Sequence, residues 1–204
     1  MIKTSTQLKA LVKNKTKGNS LNAQIMFRHY IMERYLERLA VSDYKDLIII
    51  KGGVLIASMI GIDKRSTFDV DATIKSLNFE VDTVYSIVLE IININLEDNI
   101  LFEINSVETI MGDFEYPGIR FSLEAKLDKM KTPLKLDFST NDVITPNEIT
   151  YNYPLLFEDR SIPIMSYNIE TILSEKFETI ISRGTLNTRM RDYYDVYILL
   201  TING

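Results

Sequence analysis

Between Lys51 and Asp71 the chain reads KGGVLIASMIGIDKRSTFDVD, and no other stretch limits the possible folds as much. The apolar run Leu47 to Ile50 leads into it and reads as a buried strand. Gly52 and Gly53 follow, then Val54 to Ile60, long enough for two helical turns. After a polar turn the chain re-enters a strand-like stretch carrying Asp69 and Asp71. Alternate strand residues share a face, so this spacing puts two carboxylates side by side. Like charges that close shift each other's pKa unless a cation sits between them. A hard divalent ion such as Mg²⁺ (or Mn²⁺) takes oxygen ligands and keeps room for substrate phosphates. The glycines suit the same site, because a backbone without Cβ allows close approach of a ligand, and a helix beginning beside them points free N–H groups at an anion. Each feature alone is also what a tight turn or a solvated strand shows. The order strand, glycine turn, helix and Asp-x-Asp is more specific than its parts.

Gly52-Gly53, Arg65 and Asp69-x-Asp71, in that order, resemble the signature of DNA polymerase β-type nucleotidyltransferases. Within that superfamily the chain looks most like the AbiEii/AbiGii toxins of bacterial abortive-infection, phage-defence and toxin–antitoxin systems. The usual signature has Gly-Ser, and with Gly53 at the second position a serine hydroxyl contact to phosphate is absent. The resemblance extends from about Leu36 to Leu200.

Composition narrows the chemistry. The 204 residues are 46% hydrophobic and 25% charged, ordinary for a soluble globular protein. No apolar run approaches the roughly 20 residues needed to span a bilayer, and the polar N-terminus lacks a signal-peptide core. Zero cysteines exclude disulfides and thiolate metal sites and fit a cytoplasmic location. The single histidine, His29, excludes multi-histidine metal sites; it lies in a helical pattern and reads as structural. A net charge of −5 leaves no overall attraction for nucleic acid, and the N-terminal Lys3, Lys9, Lys13, Lys15 and Lys17 read as a solvated segment.

Taken in order, a short helix is expected over residues 4–13 and a second from Leu21 to Ala40, with Ser20 as its cap. Glu33, Arg34, Glu37 and Arg38 on the second helix read as a solvated face whose like charges repel at i,i+4. A helix is expected within 79–95, and strands over Leu101 to Ile110 and Gly118 to Leu127, joined through Tyr116-Pro117-Gly118. In the strand Pro133 to Phe138, Leu134, Leu136 and Phe138 share one face and Lys135 and Asp137 the other. Residues 141–167, carrying Pro146, Pro154 and Pro163, read as a loop. They mark a boundary between residues 1–145, a nucleotidyltransferase-like α/β lobe, and 146–204, a connecting loop and helical lobe. The expected fold class is therefore mixed α/β, with a mixed sheet flanked by helices and a helical lobe after it. Asn168 is expected to cap a helix from Ile169 to about Ser182, with Lys176 on its apolar stripe, where an inward lysine needs an anion. A last helix runs from Arg189 to Leu200 and places Arg189, Asp192 and Asp195 along one side.

The resemblance assigns roles to these residues. Asp137, by pattern alone as well explained by a polar strand face, becomes a third carboxylate beside Asp69 and Asp71, able to bind metal or act as base. Lys135, Lys176, Asp192 and Asp195 join Gly52, Gly53 and Arg65 as nucleotide-binding residues, and Lys176 is also a functional residue of the family's helix. An NTP is the implied substrate, a separately encoded antitoxin the implied partner, and tRNA the first candidate acceptor. Relatives usually carry a further helical region, so either a chain cut short at Gly204 or a naturally short member is expected. Two rival readings are a small-molecule, antibiotic-type nucleotidyltransferase and a non-catalytic nucleotide-binding module of the same fold.

Overall fold

A computed structural model describes residues 1–110 and 118–203. The described elements run in the order α1 (Ser5–Thr16), α2 (Ser20–Ala40), β1 (Ile48–Lys51), α3 (Gly52–Ile60), β2 (Asp69–Ile74), α4 (Val81–Ile92), β3 (Leu101–Ile110), β4 (Gly118–Leu127), β5 (Met130–Thr140), β6 (Ile149–Pro154), β7 (Ser161–Ser166), α5 (Ile169–Arg183), a 3₁₀ turn (Gly184–Leu186) and α6 (Met190–Asn203). Seven strands form one mixed sheet in the order β3-β4-β5-β2-β1-β7-β6. β2 runs parallel to β5 and β1 parallel to β7, while the other neighbours are antiparallel. The expected mixed α/β class is what the chain adopts.

Strand alternation sorts the side chains onto two faces. Val70, Ala72, Leu136 and Phe138 enter the large core, which α1, α2 and α4 cover through Leu8, Tyr30, Leu36, Val84 and Val88. The central strand β1 is buried on both sides: Ile48 and Ile50 enter this core, and Ile49 enters a smaller one with Leu55, Ile56, Tyr167, Ile172 and Leu199. Such a strand reads as a continuous apolar run, as Leu47 to Ile50 does. The smaller core seats α5 and α6 on the face that also carries Asp69 and Asp71.

Several expectations need correction. Asn19, rather than Ser20, caps α2, its side chain accepting the Asn22 N–H. Asn168 caps α5 as expected, accepting the Thr171 N–H. Residues 141–167 are not a loop: β6 and β7 form a hairpin that extends the sheet beyond β1. β7 meets β1 only at Ser166, so Pro163 sits where that side of the strand has no partner for a missing N–H to disrupt. The turn expected at Tyr116-Pro117 lies outside the described residues. Of the apolar stripe on α5 only Ile172 is buried; Phe177 is 43% exposed.

Glu33, Arg34, Glu37 and Arg38 of α2 are buried rather than solvated, while Arg28 is half-buried. Arg38 donates to both oxygens of Asp98 at 2.9 and 2.8 Å and to the Ile100 carbonyl at 3.0 Å. Arg34 pairs with Glu37 at 2.7 Å, and Glu37 also meets Arg160. Glu33 accepts the Leu156 N–H, and burial pushes its carboxyl up to about 8. Asp98 and Arg160 from outside the helix, together with the Arg34–Glu37 pair within it, offset the like-charge repulsion along α2. His29 is buried, and burial lowers its pKa to about 4, so it is neutral.

Candidate active site

Strand register assembles the site. In the adjacent strands β1, β2, β5 and β4, Lys51 pairs with Asp71, Asp71 with Asp137, and Asp137 with Arg120. Paired residues share a face, so these four form a row across the sheet, and Glu108 of β3 extends it beyond Arg120. Adjacent strands lie about 4.8 Å apart, which brings the carboxylates of Asp71 and Asp137 into direct electrostatic contact. Asp69 and Lys135 pair one step along the same face.

The acidic centre of this row is strained by burial and by like charge. Burial raises the Asp71 pKa to about 6, helped by Asp137 and Asp69 and opposed by Lys51 and by the Gly53 N–H, which donates to the carboxylate. Asp69 is raised by burial and by Asp137, against the pull of Lys135, Arg120 and Arg28. The turn above them leaves no room for a side chain. Gly52 sits at φ +69°, and a Cβ there would stand 2.3 Å from Asp71 Oδ2. A Cβ at Gly53 already lies 2.8 Å from Thr67 Oγ1 and 3.3 Å from Arg65 Nη2. The serine usual at this position would need Thr67 to move, which accounts for Gly53 in steric terms.

Cations surround the carboxylates without neutralising them equally. Arg120 holds Asp137 through a two-pronged pair, Nε to Oδ1 at 2.7 Å and Nη2 to Oδ2 at 2.6 Å. Lys51 follows Asp71 in register, but its ammonium reaches Asp142 and, at 3.2 Å, Glu175 of α5. Burial alone would lower the Lys51 pKa; Glu175 and Asp142 outweigh it and raise it. Asp142 also accepts from Ser139 and Tyr167, each at 2.7 Å. This network ties α5 to the sheet beside the glycine turn.

A second cluster stands on the other side of that turn. Arg65 grips Asp195 of α6 at 2.7 and 3.1 Å, and Asp195 is fully buried. Lys176 of α5 meets Asp192 at 2.6 Å and Asp195 at 3.5 Å. The inward lysine therefore has an anion, supplied by α6. Among the described residues, Asp192 Oδ2 is buried with no hydrogen-bond partner. Gly53 touches both clusters: its N–H serves Asp71, and its Cα faces Arg65. Beside Arg65 opens a groove of about 320 Å³ lined by Lys64, Arg65, Ser66, Met190, Arg191 and Tyr194.

The carboxylates fit a divalent ion in part. Among the described residues no group of three or more His, Cys, Asp or Glu is gathered into a ligand cage. Asp69 and Asp71 alone match the way Mg²⁺ is commonly held, by one or two carboxylates with the remaining positions left to water and substrate phosphate. A cation between them would relieve the repulsion that raises their pKa values. Asp137, the third carboxylate, has both oxygens engaged by Arg120.

Gly52, Gly53, Arg65, Asp69, Asp71, Lys135 and Asp137 thus come together on one face, with Lys176, Asp192 and Asp195 beside them. Sequence reasoning missed Arg120, Lys51 and Thr67. For Arg120 a signal existed. The two-residue turn Asp128-Lys129 pairs Leu127 with Met130, and counting back along both strands sets Arg120 opposite Asp137.

A family model described as "Nucleotidyl transferase AbiEii toxin, Type IV TA system" matches residues 34–204. No curated protein matches the sequence. Among solved structures, JHP933 from Helicobacter pylori superposes with a TM-score of 0.56 at 17% identity, covering 86% of this chain and 66% of that one. An antigenic nucleotidyltransferase-like protein from Paracoccidioides brasiliensis gives 0.52 at 17% identity, over 98% of this chain and 78% of that one. The antibiotic-resistance factor ANT(2'')-Ia gives 0.50 at 13% identity, over 87% and 85%. At these identities the likeness is one of fold, and the chain spans just under two thirds of JHP933. None of the described helices is long and apolar enough to cross a membrane.

Proposed function

The chain belongs to the AbiEii nucleotidyl transferase toxin family of type IV toxin–antitoxin systems, and from that premise we propose that it transfers a nucleotide from an NTP to an acceptor hydroxyl with Mg²⁺ or Mn²⁺. The observation that carries this reading is the register of Asp71 with Asp137, beside Asp69 and beneath a glycine that touches Asp71. Asp69 and Asp71 hold the cation. When bound, the ion draws charge from the phosphates and polarises the α-phosphorus. Gly52 and Gly53 admit the triphosphate to the backbone, where the first-turn N–H groups of α3 other than that of Gly53, which serves Asp71, meet its charge. Asp137 orients the acceptor hydroxyl and takes its proton as the oxygen bonds to the α-phosphorus. The bond from that phosphorus to the bridging oxygen breaks, and pyrophosphate leaves. Lys176 and Arg65 turn part of their charge from Asp192 and Asp195 toward the departing phosphates. Lys135, beside Asp69, completes the electrostatic frame.

The acceptor we propose is tRNA, and the biological setting is growth inhibition in the cytoplasm, in phage defence, relieved by a separately encoded antitoxin. A small-molecule acceptor is the second reading, favoured by the fold likeness to an antibiotic-resistance factor. The test is to incubate the protein with Mg²⁺, each α-³²P-labelled NTP in turn, and total bacterial RNA, with Asp71→Ala as control. Label in a tRNA band, given only by the unmutated chain, is the expected result. Label in no RNA but in a hydroxyl-bearing small molecule selects the second reading. Equal labelling by Asp71→Ala refutes the assignment of the site.

A further inference from the structure

Among the charges on the sheet face, Arg120 has no part in the chemistry above, yet it makes the tightest contact with a carboxylate that the chemistry needs. Its guanidinium donates to both oxygens of Asp137, at 2.7 and 2.6 Å. The two residues are register partners across β4 and β5, so the backbone ladder itself holds them opposite each other. Arg120 is flanked on its far side by Glu108 and lies within electrostatic reach of Asp69. The side chain is 34% exposed, whereas that of Asp137 is 14% exposed. The arginine therefore covers the carboxylate from the solvent side, where a substrate would approach.

We propose that Arg120 is a latch: it occupies Asp137 in place of the divalent cation and competes with that cation for the carboxylate. The inference rests on the reading of Asp69, Asp71 and Asp137 as a metal-dependent transfer site. In the latched state Asp137 is withheld from Asp69 and Asp71, and the three carboxylates do not close into a cage. Release frees one carboxylate as ligand or base and leaves a guanidinium at the edge of the site. Arg120 is thus a positioning residue that acts through Asp137. Lysine would not substitute fully, because only the planar fork of arginine fits both oxygens of a carboxylate at once.

The competition predicts the sign of a measurable effect. Mn²⁺ binding is followed by the loss of the free-ion electron paramagnetic resonance signal, without nucleotide or RNA. Arg120→Gln should tighten Mn²⁺ binding by about tenfold or more, the scale set by releasing a charge-assisted hydrogen-bonded pair. Arg120→Lys should tighten it less, and it carries the test if Arg120→Gln does not fold, as judged by circular dichroism. The Asp137→Asn background separates the latch from a general charge effect. There, Arg120→Gln should change Mn²⁺ affinity little, because the carboxylate through which it acts is gone. Equal tightening in both backgrounds, or none in either, overturns the latch. Under those outcomes, loss of Mn²⁺ binding in Asp71→Asn would still uphold the transfer site itself. Failure of the parent chain and of both Arg120 variants to bind Mn²⁺ refutes the site and the latch together.

Discussion

Replacing Asp71 by asparagine should make the metal-free protein more stable while removing its activity. Asp71 stands in register with Asp137, two residues from Asp69, and beneath Gly52. Burial and these two carboxylates raise its pKa from the ordinary 3.8 to about 6. A carboxyl raised in the folded state binds more protons there than in the unfolded chain. Stability from this group therefore falls as pH climbs from about 4 to about 6, and the full cost persists above that window. The shift corresponds to a ceiling of about 3 kcal/mol, at 1.36 kcal/mol for each pKa unit. Partial solvent access at the cleft reduces the expected gain to about 1–2 kcal/mol. Asparagine keeps the shape, and its side-chain oxygen can still accept the Gly53 N–H. In EDTA at pH 7.5, thermal unfolding of Asp71→Asn should thus lie about 2–8 °C above that of the parent chain, at about 2–4 °C per kcal/mol for this chain length. The difference should shrink as the pH is lowered toward 4. Adding Mn²⁺ should stabilise the parent chain and not the variant. A variant that is less stable at pH 7.5, or whose advantage does not change with pH, would refute the claim that burial and like charge strain Asp71.

Other substitutions probe the surrounding geometry. Gly52→Ala places a Cβ 2.3 Å from Asp71 Oδ2 at a left-handed φ, so label transfer should be lost and unfolding should come at lower denaturant. Gly53→Ser should cost about 1–3 kcal/mol in urea unfolding, the range for overpacking, because its Cβ meets Thr67 Oγ1; pairing it with Thr67→Ala should recover most of the loss. Asp195→Ala leaves the buried Arg65 without its carboxylate and should cost about 3–5 kcal/mol, also read by urea unfolding. Lys176→Ala should raise the KM for NTP or lower kcat far more than it lowers stability, because the lysine retains 18% side-chain exposure.

The elements that bear the carboxylates were legible in the sequence. β2 carries Asp69 and Asp71 on one face as their spacing requires, β5 contains the expected strand Pro133 to Phe138 with Asp137, and Asn168 caps its helix. The glycine turn and Asp-x-Asp mark the candidate site in the sequence because their chemistry is local. What was hidden depended on partners far along the chain. Arg38 and Glu37 look like a solvated helix face until Asp98 and Arg160 arrive from other segments to meet them, with Arg34 held against Glu37. β6 and β7 were obscured by Pro154 and Pro163, which mark loops unless the strand side they occupy lacks a partner. Lys176 was read as inward correctly, but its partners, Asp192 and Asp195, required knowing how α6 packs on α5. Arg120 was within reach of the sequence by counting register from the Asp128-Lys129 turn, a step that alternation alone does not prompt.

The claim that Asp69 and Asp71 hold a metal–nucleotide complex is tested most directly by a crystal structure with Mn²⁺ and a non-hydrolysable NTP, using anomalous scattering to locate the ion. The account predicts an anomalous peak ligated by Asp69, Asp71 and a phosphate oxygen, with the triphosphate against the Gly52-Gly53 backbone and Asp137 freed from Arg120. A nucleotide seated elsewhere, or a peak remote from Asp69 and Asp71, would contradict it.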